Sequence, residues 1–372
     1  MPLRVYANVF DGAASKCDTF FNSALIPSQA SAYITAALPA TTPAGSATLH
    51  VGSNAAVNNF VAGPIAEYLI YNRSLTTLER QRVETYLARK WGITLAPQVA
   101  NAEAQDWVNR VYANGGTVST STASAVSTFC DAIESAGIRD RFYRLNLFCG
   151  DNLNAALVPL YRNSSLLLSG LGSATDANPG AGPFVSGDYS PTVGLFKSGN
   201  TSAYLDTGLA TDALPTAATG HLAAWMASHT PTGFLYALGA DTGVSQRYWL
   251  VSRVVSSQAV VRTQWGQNQN AETAGLGASM PAGLYIGNRA SSTALNIYQD
   301  GTSLASNTSS TTPAAISRTF YVAALNNDGS PASFANFPIA GYSIGASLTL
   351  QQATDYDLAY KALIAALGRP LT

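Results

Sequence analysis

Carboxylates are sparse in this 372-residue chain, and the glutamates are Glu67, Glu79, Glu84, Glu103, Glu134 and Glu272 alone. No two of them alternate along a predicted strand, the placement that a retaining glycosidase needs for its acid and its nucleophile. The three histidines, His50, His221 and His229, stand outside any Gly-x-Ser-x-Gly elbow, so a Ser-His-Asp site lacks a sequence frame. There is no GxGxxG or Walker-type phosphate loop. Cys17, Cys130 and Cys149 cannot staple a disulfide framework and show no metal-ligand spacing, so they read as small buried hydrophobes. Charged residues make up only 11% of the chain, under half the usual share, and the net charge is −1. Nucleic acid and anionic membranes are therefore not expected partners, since both attract basic patches. The cations that exist gather mainly in 73–90 and 139–144 and read as solvated helix faces. No apolar run reaches the length of a membrane-spanning helix, and no signal-type apolar region comes after Met1, so no membrane insertion is expected.

What the chain has is apolar residues at 47%, a hydroxyl- and amide-rich remainder, and a long-range repeat. Pro64-Ile65-Ala66, Tyr68, Ile70 and Leu75-Thr76 lead into a helical segment ending at Gly92. Pro338-Ile339-Ala340, Tyr342, Ile344 and Leu348-Thr349 lead into another ending at Gly368. A spacing this long is no solenoid period and implies two copies of one domain type. Each copy has a hairpin signal upstream: Phe20-Phe21-Asn22-Ser23 in the first, Tyr298-Gln299-Asp300-Gly301 in the second. Each then predicts a strand, at 47–52 or 319–324. Thr76-x-x-Glu79 and Thr349-x-x-Gln352 are capping boxes at the helix starts. Leu78, Val83, Tyr86, Leu87 and Trp91 are expected on the packed face of the first helix, and Tyr356, Tyr360, Leu363, Ile364 and Leu367 on that of the second.

The second copy has further strand-like stretches at 202–207, 220–226, 234–238, 247–251 and 260–265, with no counterpart in the first. The expected organisation is residues 1–96 as the C-terminal half of a sandwich, 97–160 as a helical connector packed against the second sandwich, and 161–372 as that second, complete sandwich. Half a sandwich leaves an open face. Residue 1 is therefore expected to lie inside a longer protein, or else a neighbouring chain completes the sheet. Residues 169–194 read as a long irregular loop.

The run Gly63-Pro64-Ile65-Ala66-Glu67-Tyr68-Leu69-Ile70-Tyr71-Asn72-Arg73-Ser74-Leu75, with Glu79-Arg80-Gln81 and Tyr86-Leu87-Ala88-Arg89-Lys90-Trp91-Gly92, resembles the closing strand and helix of concanavalin A-like lectin/glucanase domains, the laminin-G-like group. Arg141-Phe142-Tyr143-Arg144, Gly199-Asn200-Thr201-Ser202 and Gly341-Tyr342-Ser343-Ile344-Gly345 resemble a module of phage and environmental bacterial proteins. The resemblance implies a mainly β fold of two concanavalin A-like antiparallel jelly-roll units, the first incomplete, joined by a short helical connector. It also implies sugar or surface binding, or virion architecture.

The expected function is that of a non-enzymatic phage virion structural protein, as tail fibre, receptor-binding part or head decoration. Its partners would be other virion proteins, further copies of itself (trimers, by family implication) and a host surface glycan. The alternative is a carbohydrate-binding module of a bacterial surface or secreted protein, located outside the cell. Tyr248, Trp249, Gln264, Trp265, Gln267 and Asn268 are the candidate sugar-binding residues, because aromatic faces stack on sugar C–H groups while amides bond hydroxyls. Core packing is the favoured reading for both tryptophans, and the Gln/Asn loop at 267–270 is expected to be exposed. No cofactor is expected. Calcium is left open through Asp176, Asp188, Asp206, Asp241 and Asp328, although no spacing singles them out and turn formation is the better reading.

Overall fold

The computed structural model describes residues 4–11, 16–25, 65–180, 182–243, 245–267 and 269–370. Two compact units divide at Ala96 and Pro97. The predicted strand at 47–52, with His50, Pro64 and Asn268, lies outside the described residues.

In the first unit β1 (Tyr6–Asp11) and β2 (Lys16–Phe21) pair antiparallel, from Tyr6 opposite Phe21 to Asp11 opposite Lys16. Asn22 and Ser23 take φ of 46° and 73°, the left-handed values of a two-residue hairpin turn, and return the chain into β3 (Ala24–Leu25). Helix α1 (Thr77–Trp91) begins at the Thr76–Glu79 capping box and stops at Gly92, whose φ of 64° suits a residue without Cβ. Its buried stripe is Arg80, Glu84 and Ala88 rather than the apolar row expected from spacing. Arg80 lies 3.7 Å above the Phe20 ring and donates to Glu84, which also accepts from Ser23 Oγ at 2.6 Å. Leu78, Tyr86 and Trp91 are exposed. Residues 65–71, expected as a strand, form none and are exposed in most of their large side chains.

The second unit opens with α2 (Ala102–Ala113), α3 (Thr120–Ser135), β4 (Phe142–Asn146) and the single turn α4 (Leu153–Ala156). The chain continues through β5 (Tyr189–Ser190), β6 (Gly194–Leu195), β7 (Leu205–Ala210), β8 (Gly220–Met226), β9 (Leu235–Asp241), β10 (Arg247–Val255), β11 (Gln258–Gly266) and β12 (Asn270–Glu272). It ends with β13 (Gly283–Ser291), β14 (Ala294–Gln299), β15 (Thr302–Asn307), β16 (Thr319–Val322), β17 (Leu325–Asn327), β18 (Ser330–Ala332), β19 (Ile339–Gly345) and α5 (Leu350–Ala366). One sheet has the order β12-β11-β10-β9-β16-β7, with β17 and β18 attached beside β9. The other has the order β15-β14-β13-β8-β19-β6-β5, and β4 also pairs with β19. Nearly all pairings are antiparallel, so the protein is mainly β, and its second unit is a face-to-face sandwich. Leu222, Met226, Tyr342 and Ile344 of the second sheet meet Leu250, Val261, Trp265 and Phe320 of the first in one apolar core.

A third layer covers the back of the second sheet. Trp225 of β8 stacks on Tyr360 of α5 with centroids 5.4 Å apart, Phe142 of β4 packs on Tyr356 at 4.8 Å, and Phe129 of α3 meets the edge of Tyr360. Covered on both faces, β8 and β19 are buried along their whole length. Gly341 permits this approach, because a Cβ there would overlap Tyr360 Oη and come within 2.6 Å of the Asn146 carbonyl. The expected connector at 97–160 is thus part of the second unit, and its β4 is a strand of the sheet. The loop at 169–194 is tied down from within: Asp176, buried, accepts from Arg144 at 2.6 Å, from Tyr342 Oη at 2.7 Å and from Asn146 at 2.7 Å. Among the described residues no helix is long and apolar enough to cross a membrane.

Candidate functional site

Alternation along β10 sends Tyr248, Leu250 and Ser252 toward the core and Arg247, Trp249, Val251 and Arg253 to the outer face. The ladder extends that outer face sideways. Val251 lies opposite Tyr236 of β9 and Arg262 of β11, and Arg262 lies opposite Glu272 of β12. Tyr236, Trp249, Val251 and Leu325 form a small apolar cluster separate from the main core. Arginines lie over it and beside it: the Arg262 guanidinium lies 5.6 Å from the Trp249 ring and that of Arg253 lies 4.6 Å from Phe234, which is 44% exposed. Stems of long cationic side chains cover apolar surface readily while their heads stay near water.

The charges of this face are only loosely matched. Glu272 sits 3.5 Å from Arg253 and 3.9 Å from Arg262, and Asp241 sits 3.1 Å from Arg247. The Nε atoms of all three arginines and one Glu272 oxygen are buried without a hydrogen-bond partner. Burial lowers the Arg262 pKa, only partly opposed by Glu272. Burial also raises that of Asp241, against the Gly243 N–H and Arg247, while Asp328 adds to the rise. What the face offers chemically is a set of guanidinium donors over an aromatic floor.

The predicted sugar-binding residues do not come together on one surface. Tyr248 and Trp265 are core residues in edge-to-face contact at 5.3 Å; they donate to the carbonyls of Ala314 and Ala217 at 2.7 and 2.8 Å. Their inward register corrects the expectation of a stacking platform. Trp249 faces outward but is covered by its neighbours, and Gln264, also buried, donates to the Gly266 carbonyl. Gln267 is exposed, whereas Gln269 is buried and accepts from Arg289, so the loop is open only in part. Arg253, Arg262 and Phe234 went unnoticed in the sequence. The signal for Arg253 is the i, i+2 alternation of arginine with Trp and Val in β10; Arg262 and Phe234 join it only through the strand register and the fold.

The remaining candidates are occupied by other tasks. Asp176 belongs to the buried Arg144 cluster, and Asp188 and Asp206 accept from the turn N–H groups of Val185 and Gly208. Asp241 accepts from Gly243, and Asp328 pairs with Arg318. Among the described residues no group of three or more His, Cys, Asp or Glu converges as a metal site would. Glu67, Glu79, Glu84 and Glu103 pair with Lys90, Arg73, Arg80 and Arg139, and Glu134 accepts from Asn101.

Two serine–histidine pairs were not foreseen. His221 Nε2 lies 2.9 Å from Ser343 Oγ, and His229 Nε2 lies 2.8 Å from Ser252 Oγ. In each, a backbone carbonyl rather than a carboxylate holds Nδ1: Ala346 for His221, Ala227 for His229. Both serines are fully buried: the first pair ties β8 to β19, and the second ties the segment after β8 to β10. Burial pushes the His221 pKa down to about 4, against the Ala346 hydrogen bond, and lowers that of His229.

No protein-family model matches this chain. No curated protein matches it. Among solved structures, part of the chain is similar to a K499G mutant of the NanB sialidase from Streptococcus pneumoniae (15% identity, TM-score 0.32), over 41% of this chain and 26% of that one. It is also similar to the CBM40 of a Ruminococcus gnavus IT-sialidase bound to α2,3 sialyllactose (8% identity, TM-score 0.30), over 37% of this chain and 82% of that one. A third is a structure of botulinum neurotoxin type C (7% identity, TM-score 0.30), over 45% of this chain and 42% of that one. The chain thus spans about a quarter of the sialidase that it matches.

Proposed function

We propose that this protein is a non-enzymatic carbohydrate-binding protein of the concanavalin A-like type, acting outside the cell or on a particle surface, and that its second unit recognises sugars on the outer face of β9–β12. The observation that carries this reading is the pair of arginines over Phe234 and Trp249. Guanidinium N–H groups bond sugar oxygens, and the exposed Phe234 ring offers a face to sugar C–H groups. The separate engagement of Glu67, Glu79, Glu84, Glu103 and Glu134 supports a binding role over a hydrolytic one. A glycan array probed with the full chain tests it: binding that weakens in Phe234→Ala supports the reading, and a blank array at high protein concentration overturns it.

A second reading, a structural part of a phage virion that assembles with copies of itself, draws support from the first unit. There the exposed side chains of Ile65, Tyr68 and Ile70 present an apolar row of the kind that assembly partners cover. Mass spectrometry of purified particles tests it, and absence of peptides from this chain would count decisively against it.

A further inference from the structure

The arginines of the second unit are held in different ways. Arg110, Arg139 and Arg144 hold Asp106, Glu103 and Asp176 at 2.7, 2.8 and 2.6 Å, the distances of well-formed charge-assisted hydrogen bonds. Arg253 and Arg262 instead share the single carboxylate of Glu272 at 3.5 and 3.9 Å, too long for such bonds. Buried Arg289 and Arg369 are satisfied instead by amide and carbonyl oxygens, so Arg253 and Arg262 stand apart in sharing one carboxylate without a well-formed hydrogen bond to it.

The two guanidiniums are neighbours by register. Arg262 lies opposite Val251, two residues from Arg253 on the same face of β10. Their rings of contact differ: Arg262 rests over Trp249, Arg253 over Phe234, so each head is held by an aromatic and not by an acid. The surrounding face adds Arg247 and one further carboxylate, Asp241, leaving guanidiniums in excess of carboxylates. An arginine fork matches a carboxylate bidentately, which a neutral hydroxyl cannot do.

We propose that the Arg253–Arg262 pair binds a sugar carboxylate, and that the ligand of this face is therefore an acidic saccharide of the uronic or sialic class. Glu272 acts as the internal stand-in that the ligand carboxylate displaces or outbids. This inference rests on the sugar-binding reading above and names the ligand class of the same site.

Calorimetric titration of the full chain with a glucuronate-containing disaccharide, a sialylated trisaccharide, their neutral counterparts and a sulfated disaccharide tests it. At least one carboxylated probe should bind about tenfold or more tighter than its neutral counterpart, and added salt should weaken only the charged probes. Arg262→Gln should remove that preference, so that carboxylated and neutral probes bind alike, with the thermal midpoint recording that the chain still folds. Arg253→Gln serves the same purpose if Arg262→Gln does not fold. Glu272→Gln should tighten carboxylated probes, a gain that a purely structural glutamate would not give. Equal affinity for neutral and carboxylated sugars would overturn the inference while leaving sugar binding intact, as would preference for the sulfated probe alone. Failure of every sugar to bind would overturn both readings together.

Discussion

Residues 65–71 and β19 carry almost the same words and meet opposite fates. Ile65, Tyr68 and Ile70 are 48%, 53% and 62% exposed and belong to no strand, whereas Ile339, Tyr342 and Ile344 are buried in a strand between β8 and β4. The helices downstream differ in the same sense. Both start from a Thr capping box, but α5 buries Tyr356, Tyr360, Leu363 and Ile364, while α1 buries Arg80, Glu84 and Ala88. One position marks the divergence. Where the second copy has Gly341 beneath Tyr360, the first has Glu67, which pairs with Lys90 and accepts from the Trp91 indole. A strand pattern becomes a strand only when backbone partners and a covering layer are supplied, and neither comes from the pattern itself.

Writing the first copy's residue into the second should break the comparison most severely. Gly341→Glu places a charged side chain where even a methyl group overlaps Tyr360 and the Asn146 carbonyl, so the second unit should lose its cooperative thermal transition. Next come the matched tyrosines. Tyr342→Ala empties a core site and removes a hydrogen bond to Asp176, and should cost about 3–5 kcal/mol. Tyr68→Ala should cost less than about 0.5 kcal/mol in denaturant unfolding. Comparable losses in the two variants would show that the first segment is covered after all.

Acid should act on the second unit through His221. Its folded pKa lies near 4, below the ordinary value of 6.5, so the unfolded chain takes up the proton first as the pH falls. The stability linked to this ring is fully present above about pH 6.5 and is lost between there and about pH 4, a change of roughly 3 kcal/mol. Urea midpoints across that window should therefore slope less in His221→Gln than in the parent chain. The smallest effect should be the most alike in the two copies. Thr76→Ala and Thr349→Ala each remove an N-cap and should each cost about 1 kcal/mol, read from helix content in a thermal melt. Strongly unequal costs would mean that the caps are not the local devices they resemble.

The features visible in the residues are those fixed over a few positions. Asn22-Ser23 and Asp300-Gly301 turn their hairpins with positive φ, the Thr boxes start their helices, and 220–226 and 247–251 lie within strands. The candidate site was harder to read. Tyr248 and Trp265 are aromatic and amide-flanked, as a sugar platform would be, but the register turns them inward. The arginines of the outer face went unnoticed because Arg253, Arg262 and Glu272 are brought together by pairing across three strands.

Amino-acid order alone therefore set the turns, the helix boundaries and the antiparallel character, because each depends on backbone preferences and hydrogen bonds closed within a few residues. Tertiary structure decided which apolar segments are buried, which face of α1 packs, and which three arginines share a surface. Those outcomes depend on partners far apart in the chain, whose contacts exist only once both sheets and the helical layer have met.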